Sequence, residues 1–450
     1  MNTPRDNFTS NSAELLKRKS GAMSSFSVID TGNEEVVREN YIKDKMDENN
    51  SVNFFGRHFN RFVMVTHINI FLYSCGFWIQ LAVFPYLTKQ LGADPVTFGY
   101  LQTTFAVVQL AGGPLFGRFG DLFGSRQAMM LAFASASVSY FLLFISSSIP
   151  LLFVSRLPSV FMHAMQAGQM IVTDVCSPSK RADALGKLGI SYGVGMVVGP
   201  MIGGIVSRLF SIEKGALVAC VLSLVSIVIT FLYVPASVKK SAASQADSNI
   251  FSLSKILRLL RAPGAFFLLT IKMGTGVPMG IFQSMFSVVA LERFQLPPDQ
   301  NSYVMSYVGV MAMMVQGVGI GYVTKSFDQN RILAGSAMSL MLGYFMMTFA
   351  SNMWHMCAVF IPLIVGLTFQ NVVTTSALTR TVSSADTGAM LGLSMAVNSL
   401  IRSVSPTVGG YMLTRFGFES FGYLGCAVSA VITGVLFYRA RKEEGHVVKP

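Results

Sequence analysis

Twelve long apolar runs separated by short gaps constrain this 450-residue chain more than any other feature. Their limits are 62–87, 97–116, 127–147, 150–173, 185–207, 215–235, 264–291, 302–323, 331–350, 353–378, 389–413 and 419–438. Each comes close to the roughly 20 residues a helix needs to cross a bilayer core. Hydrocarbon offers backbone N–H and C=O groups no partner except one another, so runs of this length read as helices. Only 12% of residues are charged, about half the share of an ordinary soluble domain. The expected fold class is an all-α membrane protein with twelve transmembrane helices.

Charge divides the chain further. Residues 1–60 are polar and of mixed charge, which predicts a disordered cytosolic tail, open to cytosolic partners. Residues 61–235 form a first six-span bundle, 236–263 a linker, 264–438 a second bundle, and 439–450 a cytosolic C-terminal tail. In the linker, Leu253, Ile256, Leu257 and Leu260 recur at helical spacing, with Lys255, Arg258 and Arg261 on the other side. That pattern predicts a basic amphipathic helix on membrane lipid. Alternate gaps hold seventeen Lys and Arg against five, which places both termini in the cytosol. No basic-then-apolar leader opens the chain, so the first span is expected to serve as its own targeting signal. The net charge of +12 sits beside apolar spans rather than on a soluble face, which argues against nucleic acid. The five cysteines are scattered, with no CxxC pair, so neither a disulfide framework nor a metal site is expected, and no cofactor.

The halves repeat. A shift of 204 lays Pro158 on Pro362, Gln166 on Gln370, Gly113 on Gly317 and Gly117 on Gly321. A shift of 206 lays Pro200 on Pro406 and Gly203-Gly204 on Gly409-Gly410. Two parallel six-helix halves place a solute site at their interface near the bilayer midplane. Between spans two and three lies a glycine-punctuated charged turn, residues 117–126. There Gly117 permits close helix contact, Gly124 a tight turn, and Asp121 can face the positive N-terminal end of a neighbouring helix. Arg126 is placed to pair with Asp174, and the second half has Lys325 where the first has Asp121. In span five Gly195, Gly199, Gly203 and Gly204 form a smooth stripe, kinked at Pro200. Gly189-Ile-Ser191-Tyr-Gly193 fits a nucleophile elbow but lacks the strand–turn–helix context, so no enzyme is expected.

Ionisable groups inside spans are costly and default to function. Arg156, His163, Lys272 and Arg402 are such groups, and His67 lies towards the inner part of span one. Gln80, Gln166, Gln370, Asn371 and Asn398 can add neutral dipoles to a cavity. Apart from Glu419 at the first position of the last span, no Asp or Glu lies within a span, so the cavity favours anions or zwitterions on charge alone. A cation would need aromatic faces instead, of which Phe71, Phe77, Trp78, Phe105, Phe282, Tyr303 and Tyr307 are candidates.

The pattern Gly-x-x-x-Asp-x-x-Gly-x-Arg at 117–126 resembles the loop between helices two and three of the major facilitator superfamily of transporters. The span-five stripe resembles that superfamily's proton-antiporter signature, and Arg156 its helix-four arginine, although Leu157-Pro158-Ser159-Val160 replaces the usual continuation. Phe84-Pro-Tyr-Leu87 and Gly112-Gly-Pro-Leu-Phe-Gly-Arg118 are similar to its organic-cation-transporter-like carriers. The resemblance implies exchange of protons for amphipathic amine drugs by rocking of two bundles, in the apical plasma membrane or an endomembrane. It implies that Asp121 latches the outward-facing state against the start of span eleven, near Gly388-Ala389. An organic-anion or lipid-like carrier using Arg156 and Arg402, and a non-transporting scaffold, are the alternatives.

Overall fold

The computed structural model describes residues 51–54, 57–176, 178–234, 258–383 and 386–447. The tail to residue 50 and most of the predicted linker helix lie outside the described residues. Ser51–Phe54 (β1) and Arg57–Asn60 (β2) pair antiparallel, Val52 opposite Phe59. The sequence reading carried the unstructured tail through these residues; it overlooked the apolar–polar alternation of Val52-Asn53-Phe54. Asn60 then caps the first helix, its Oδ1 accepting from the Phe62 N–H at 2.8 Å.

Every element described after Asn60 is helical. The first half comprises α1 (Arg61–Gln90), α2 (Pro95–Phe123), α3 (Ser125–Phe144), α4 (Ile149–Val154), α5 (Ala164–Val175), α6 (Pro178–Leu209) and α7 (Ile212–Tyr233). The second comprises α8 (Ala265–Glu292), α9 (Pro298–Met314), α10 (Ile320–Ser326), α11 (Gln329–Met347), α12 (Met353–Arg380), α13 (Thr387–Phe416) and α14 (Glu419–Val447). Arg61 and Ala265, like Ser125 and Gln329, open corresponding helices 204 residues apart. Eight helices among the described residues are long and apolar enough to cross a membrane. Helices α2, α11 and α13 and the interrupted fourth span, all counted among the twelve expected, fall short in length or apolar content.

Two expected boundaries move. Helix α2 does not stop at residue 116 but runs through Phe123, so the charged turn shrinks to Gly124 at φ 91°, ψ 161°. That is a backbone state glycine adopts freely, and Asp121 stands on the last helical turn. The fourth span is not continuous: a 3₁₀ turn, Leu157–Phe161, separates α4 from α5, and Met162 and His163 leave helical geometry. Carbonyls freed by the break find side-chain donors. Ser139 Oγ donates to Ser155 O (2.7 Å), and Tyr73 Oη and Gln109 Nε2 donate to Met162 O (2.9 and 3.2 Å). Irregular backbone at membrane depth persists only with such replacements.

At the other end of α2, Asp94 is the N-cap, its Oδ1 accepting from Thr97 N–H at 2.8 Å, with Pro95 as the first helical residue. Hydrogen bonds from Thr97 hold the Asp94 carboxyl below the usual carboxylate range. A depressed value means stabilisation that is complete above the unfolded pKa of about 4 and fades as pH falls through the folded one. Asp94→Ala is therefore expected to cost about 1 kcal/mol at neutral pH. Thermal unfolding in detergent should show the gap from wild type narrowing on acidification.

Within the first half, α1 packs on α6 and α7, and α3 on α7. Ile70, Ile79, Phe116, Phe133 and Tyr140 fill its core. In the second half, α11 packs on α12 and α14, around Phe282, Leu340, Tyr344, Leu363 and Phe421. The halves meet chiefly along two lines, α2 with α13 and α6 with α9.

Candidate functional site

Small residues set how closely the halves approach. A side chain on Gly99 would come within 2.5 Å of the Pro406 carbonyl oxygen, and one on Gly410 within 2.5 Å of that of Pro95. Nearby, Thr103 and Thr407 share a hydroxyl hydrogen bond of 2.8 Å, and the Tyr100 and Tyr411 hydroxyls meet. On the α6–α9 line, Gly204 lies against Ser302 and Asp299, Ser306 Oγ donates to Val197 O (2.7 Å), and Gly193 touches Met313. Ion pairs Lys89–Glu292 (2.6 Å) and Arg208–Asp299 (3.6 Å) join the halves at this same, Pro95 end.

At the opposite, Gly124 end the halves part. Gly186 and Gly189 of α6, Gly388 and Gly392 of α13, and Gly317 and Gly321 each face open space. The parting on α9 coincides with a π turn, Val315–Gly319, leading into α10.

Two chambers share part of their walls, the first lined by both halves and the second by the second half alone. One, of about 420 Å³, is walled by Phe77, Trp78, Phe105, Tyr192, Phe282 and Phe286, with Gln80, Gln102 and Gln283 among them. The other, of about 760 Å³, is lined by Lys272, Asn371, Thr375, Ser376, Thr379, Asn398 and Arg402. Met279, Gly280, Gln283 and Arg402 line both. Among the described residues, no carboxylate lines either chamber. Arg402, midway along α13, is exposed to this space and has no ion pair or hydrogen bond among the described residues. Lys272 Nζ lies 3.5 Å from Thr375 Oγ1.

Of the eight residues read as binding or coupling groups, Lys272, Asn371, Asn398 and Arg402 thus come together. The other four do not line the cavity. Arg156 is buried behind it, its guanidinium 3.9 Å from the Phe84 ring centre and 6.0 Å from that of Phe105. His163 packs at a tilt beside Phe116, Gln166 Nε2 faces Gly117, and Gln370 Oε1 accepts from Ser336 Oγ. His67 Nδ1 meets Ser191 Oγ at 2.8 Å, away from both chambers.

The turn residues stand apart from their expected partners. Arg126 does not pair with Asp174; its Nη2 donates to Phe231 O at 2.6 Å and its guanidinium lies over that ring. The carbonyl of Phe231, near the end of α7, takes the place of the carboxylate as its acceptor. Asp121 is exposed, with no hydrogen bond or ion pair among the described residues. The span-five stripe is a backbone contact: Gly195 lies against Ser74 and Phe71 O, Gly199 against Cys75 O, and Gly203 against Ile79, while Pro200 is buried. Gly204 alone of the set faces the other half.

Sequence reasoning missed Gln102, Tyr192 and Gln283. A glutamine within a membrane span is the signal that could have found two of them.

Membrane-length helices in two repeated halves around a cavity closed at one end define a solute carrier of the repeat type. The sequence profile of the Major Facilitator Superfamily matches residues 66–385 and 319–450, and the chain belongs to that superfamily of multi-pass membrane transporters. Solute carrier family 22 member 18 of Mus musculus is 38% identical over 393 residues, 85% of this chain and 97% of its own. Solute carrier family 67 member A1 of Homo sapiens is 38% identical over 372 residues, 80% of this chain and 88% of its own. The crystal structure of the nucleoside transporter NupG shares the fold at TM-score 0.70 and 15% identity, over 84% of this chain and 98% of that one.

Proposed function

We propose that the protein is a secondary active transporter that carries an amphipathic organic solute by alternating access, with twelve spans in two six-helix bundles. The observation behind this reading is the aromatic chamber lined by both repeated halves, with the halves in contact at the Pro95 end and parted at the Gly124 end. Lysine and arginine bias makes the Gly124 end cytosolic, so this conformation is inward-open. Rocking breaks Lys89–Glu292 and Arg208–Asp299 outside and brings Gly186 and Gly189 towards the π-turn region inside. Asp121, unpartnered among the described residues, then reaches the N-terminal end of α13 and latches the outward-facing state.

A second reading has an observation of its own. Phe77 meets Trp78 edge-on at 5.9 Å and Phe105 at 6.1 Å, giving ring faces that suit an organic amine exchanged for protons. Purified protein in proteoliposomes tests both. Saturable uptake of a dansylated solute, accelerated by the same solute preloaded inside, is expected of a carrier; non-saturable entry without acceleration overturns it. Uptake of the amine form that ignores an imposed pH gradient rejects proton exchange alone.

A further inference from the structure

The larger chamber has a one-sided chemistry that a general solute cavity does not require. Two cations line it, no acid among the described residues does, and every other polar lining group is an amide or a hydroxyl. Helix register fixes their heights. Gly276 of α8 lies against Ile401 of α13, Gly280 against Ser405, and Ile281 against Gly409, so the two helices run parallel. Lys272 is one turn below Gly276, and Arg402 one residue above Ile401, which puts the two backbones about 7 Å apart in height. Both side chains enter the same chamber. Facing them on α12, Asn371, Thr375 and Thr379 follow at intervals of four residues, one helical face. Lys272 already leans on this row through Thr375, while Arg402 leaves its five N–H groups unengaged by protein among the described residues. An unpaired arginine at mid-membrane depth is costly, and a guanidinium offers a planar fork matched to carboxylate or phosphate oxygens.

The adjoining chamber is aromatic and shares Arg402, Gln283 and Met279 with the first. Charge at one end and ring faces at the other define one ligand shape. We propose that Lys272 and Arg402, with Asn371 and Thr375, receive the acidic head group of an amphipathic solute whose apolar body fills the aromatic chamber. This rests on the reading of the cavity as the transport site, and it assigns the substrate class as organic anions rather than amines. The head group faces the open end, so it leaves first towards the cytosol.

The chain contains two tryptophans, Trp78 in the aromatic chamber and Trp354 on the exterior. Trp354→Phe leaves Trp78 as the only tryptophan donor for energy transfer to a bound dansyl group. Full-length protein in nanodiscs is titrated with dansylglycine, dansylamide and dansylcadaverine, which share a body and differ in head-group charge. Dansylglycine is expected to bind about tenfold more tightly than dansylamide, and dansylcadaverine more weakly than either, on the scale of a charge-assisted hydrogen bond. Lys272→Gln and Arg402→Gln should each erase the preference while dansylamide binding persists, which also certifies the fold, and Lys272→Arg should retain it. Equal binding of all three heads, tighter dansylcadaverine, or a preference unmoved by both neutral variants overturns the acidic-head assignment. Failure of all three probes to accept energy from Trp78 overturns the cavity as a solute site, and the assignment with it.

Discussion

Gly99→Leu is expected to remove exchange activity from proteoliposomes while leaving the protein folded. The reason lies in which surfaces Gly99 touches. Its neighbours are the Pro406 carbonyl and Thr407 of the opposite half, not its own bundle. A leucine there costs nothing while the halves are apart at this end and clashes with backbone once they close. Overpacking of this kind is worth about 1–3 kcal/mol, a shift of about ten- to a hundredfold in the closing equilibrium. The matching contact of Gly410 on Pro95 means that Gly410→Leu should act alike, and the two together should add little once the end stands open. Thiol accessibility separates this from simple loss of binding. With Cys357 and Cys426, the two half-exposed cysteines, replaced by serine, Ser287→Cys in the aromatic chamber reports entry from the Pro95 end. An impermeant reagent applied on that side should label it readily in the Gly99→Leu background and slowly in the parent. Equal labelling, or full exchange by Gly99→Leu, would remove the rocking mechanism. Gly388→Leu, facing open space here, should bias the protein the opposite way, towards this conformation.

Much of this architecture is legible in the sequence because lipid allows the backbone so few alternatives. A run such as 353–378 can only be a helix, and Met353–Arg380 is one. Lys272 and Arg402 announce themselves by charge within apolar runs, and both line the cavity. Arg156 carries the same signal yet stands behind Phe84. Sequence position gives a residue's depth in the membrane, but helices apolar all round give no sign of which face meets the cavity. That missing angle also hid Tyr192, Gln102 and Gln283. The break in the fourth span was illegible for a different reason. Pro158 and Pro362 occupy matching positions, but α12 continues through Pro362 while the chain around Pro158 becomes a 3₁₀ turn. What differs is tertiary: the donors Ser139, Tyr73 and Gln109 that satisfy the freed carbonyls, and the helix pressed against the turn. The long reach of α2 past residue 116 likewise follows from Gly124 alone supplying the turn, where the sequence shows three glycines that each can.

That pressed contact makes Gly112→Ala the most damaging single methyl in the first half. A Cβ on Gly112 would run into the carbonyl oxygen, carbonyl carbon and Cα of Val160, all backbone. No rotamer change relieves such a clash, so either α2 or the 3₁₀ turn must move. The turn is pinned two residues on, where Met162 O accepts from Tyr73 and Gln109, and a shift would strand that carbonyl in an apolar interior. Moving α2 instead would open the wall that Phe105 gives the aromatic chamber. Either response should cost about 3 kcal/mol or more, the range of overpacking combined with a lost buried hydrogen bond. The next residue is the control. A Cβ on Gly113 meets only the edge of His163 at 3.7 Å, ordinary van der Waals contact. Gly113→Ala should therefore be neutral or raise stability by up to about 1 kcal/mol through helix propensity. Thermal unfolding of both variants in detergent, followed by size-exclusion recovery, reads the difference directly. A Gly112→Ala protein as stable as Gly113→Ala would mean that α2 and the broken span do not touch as described.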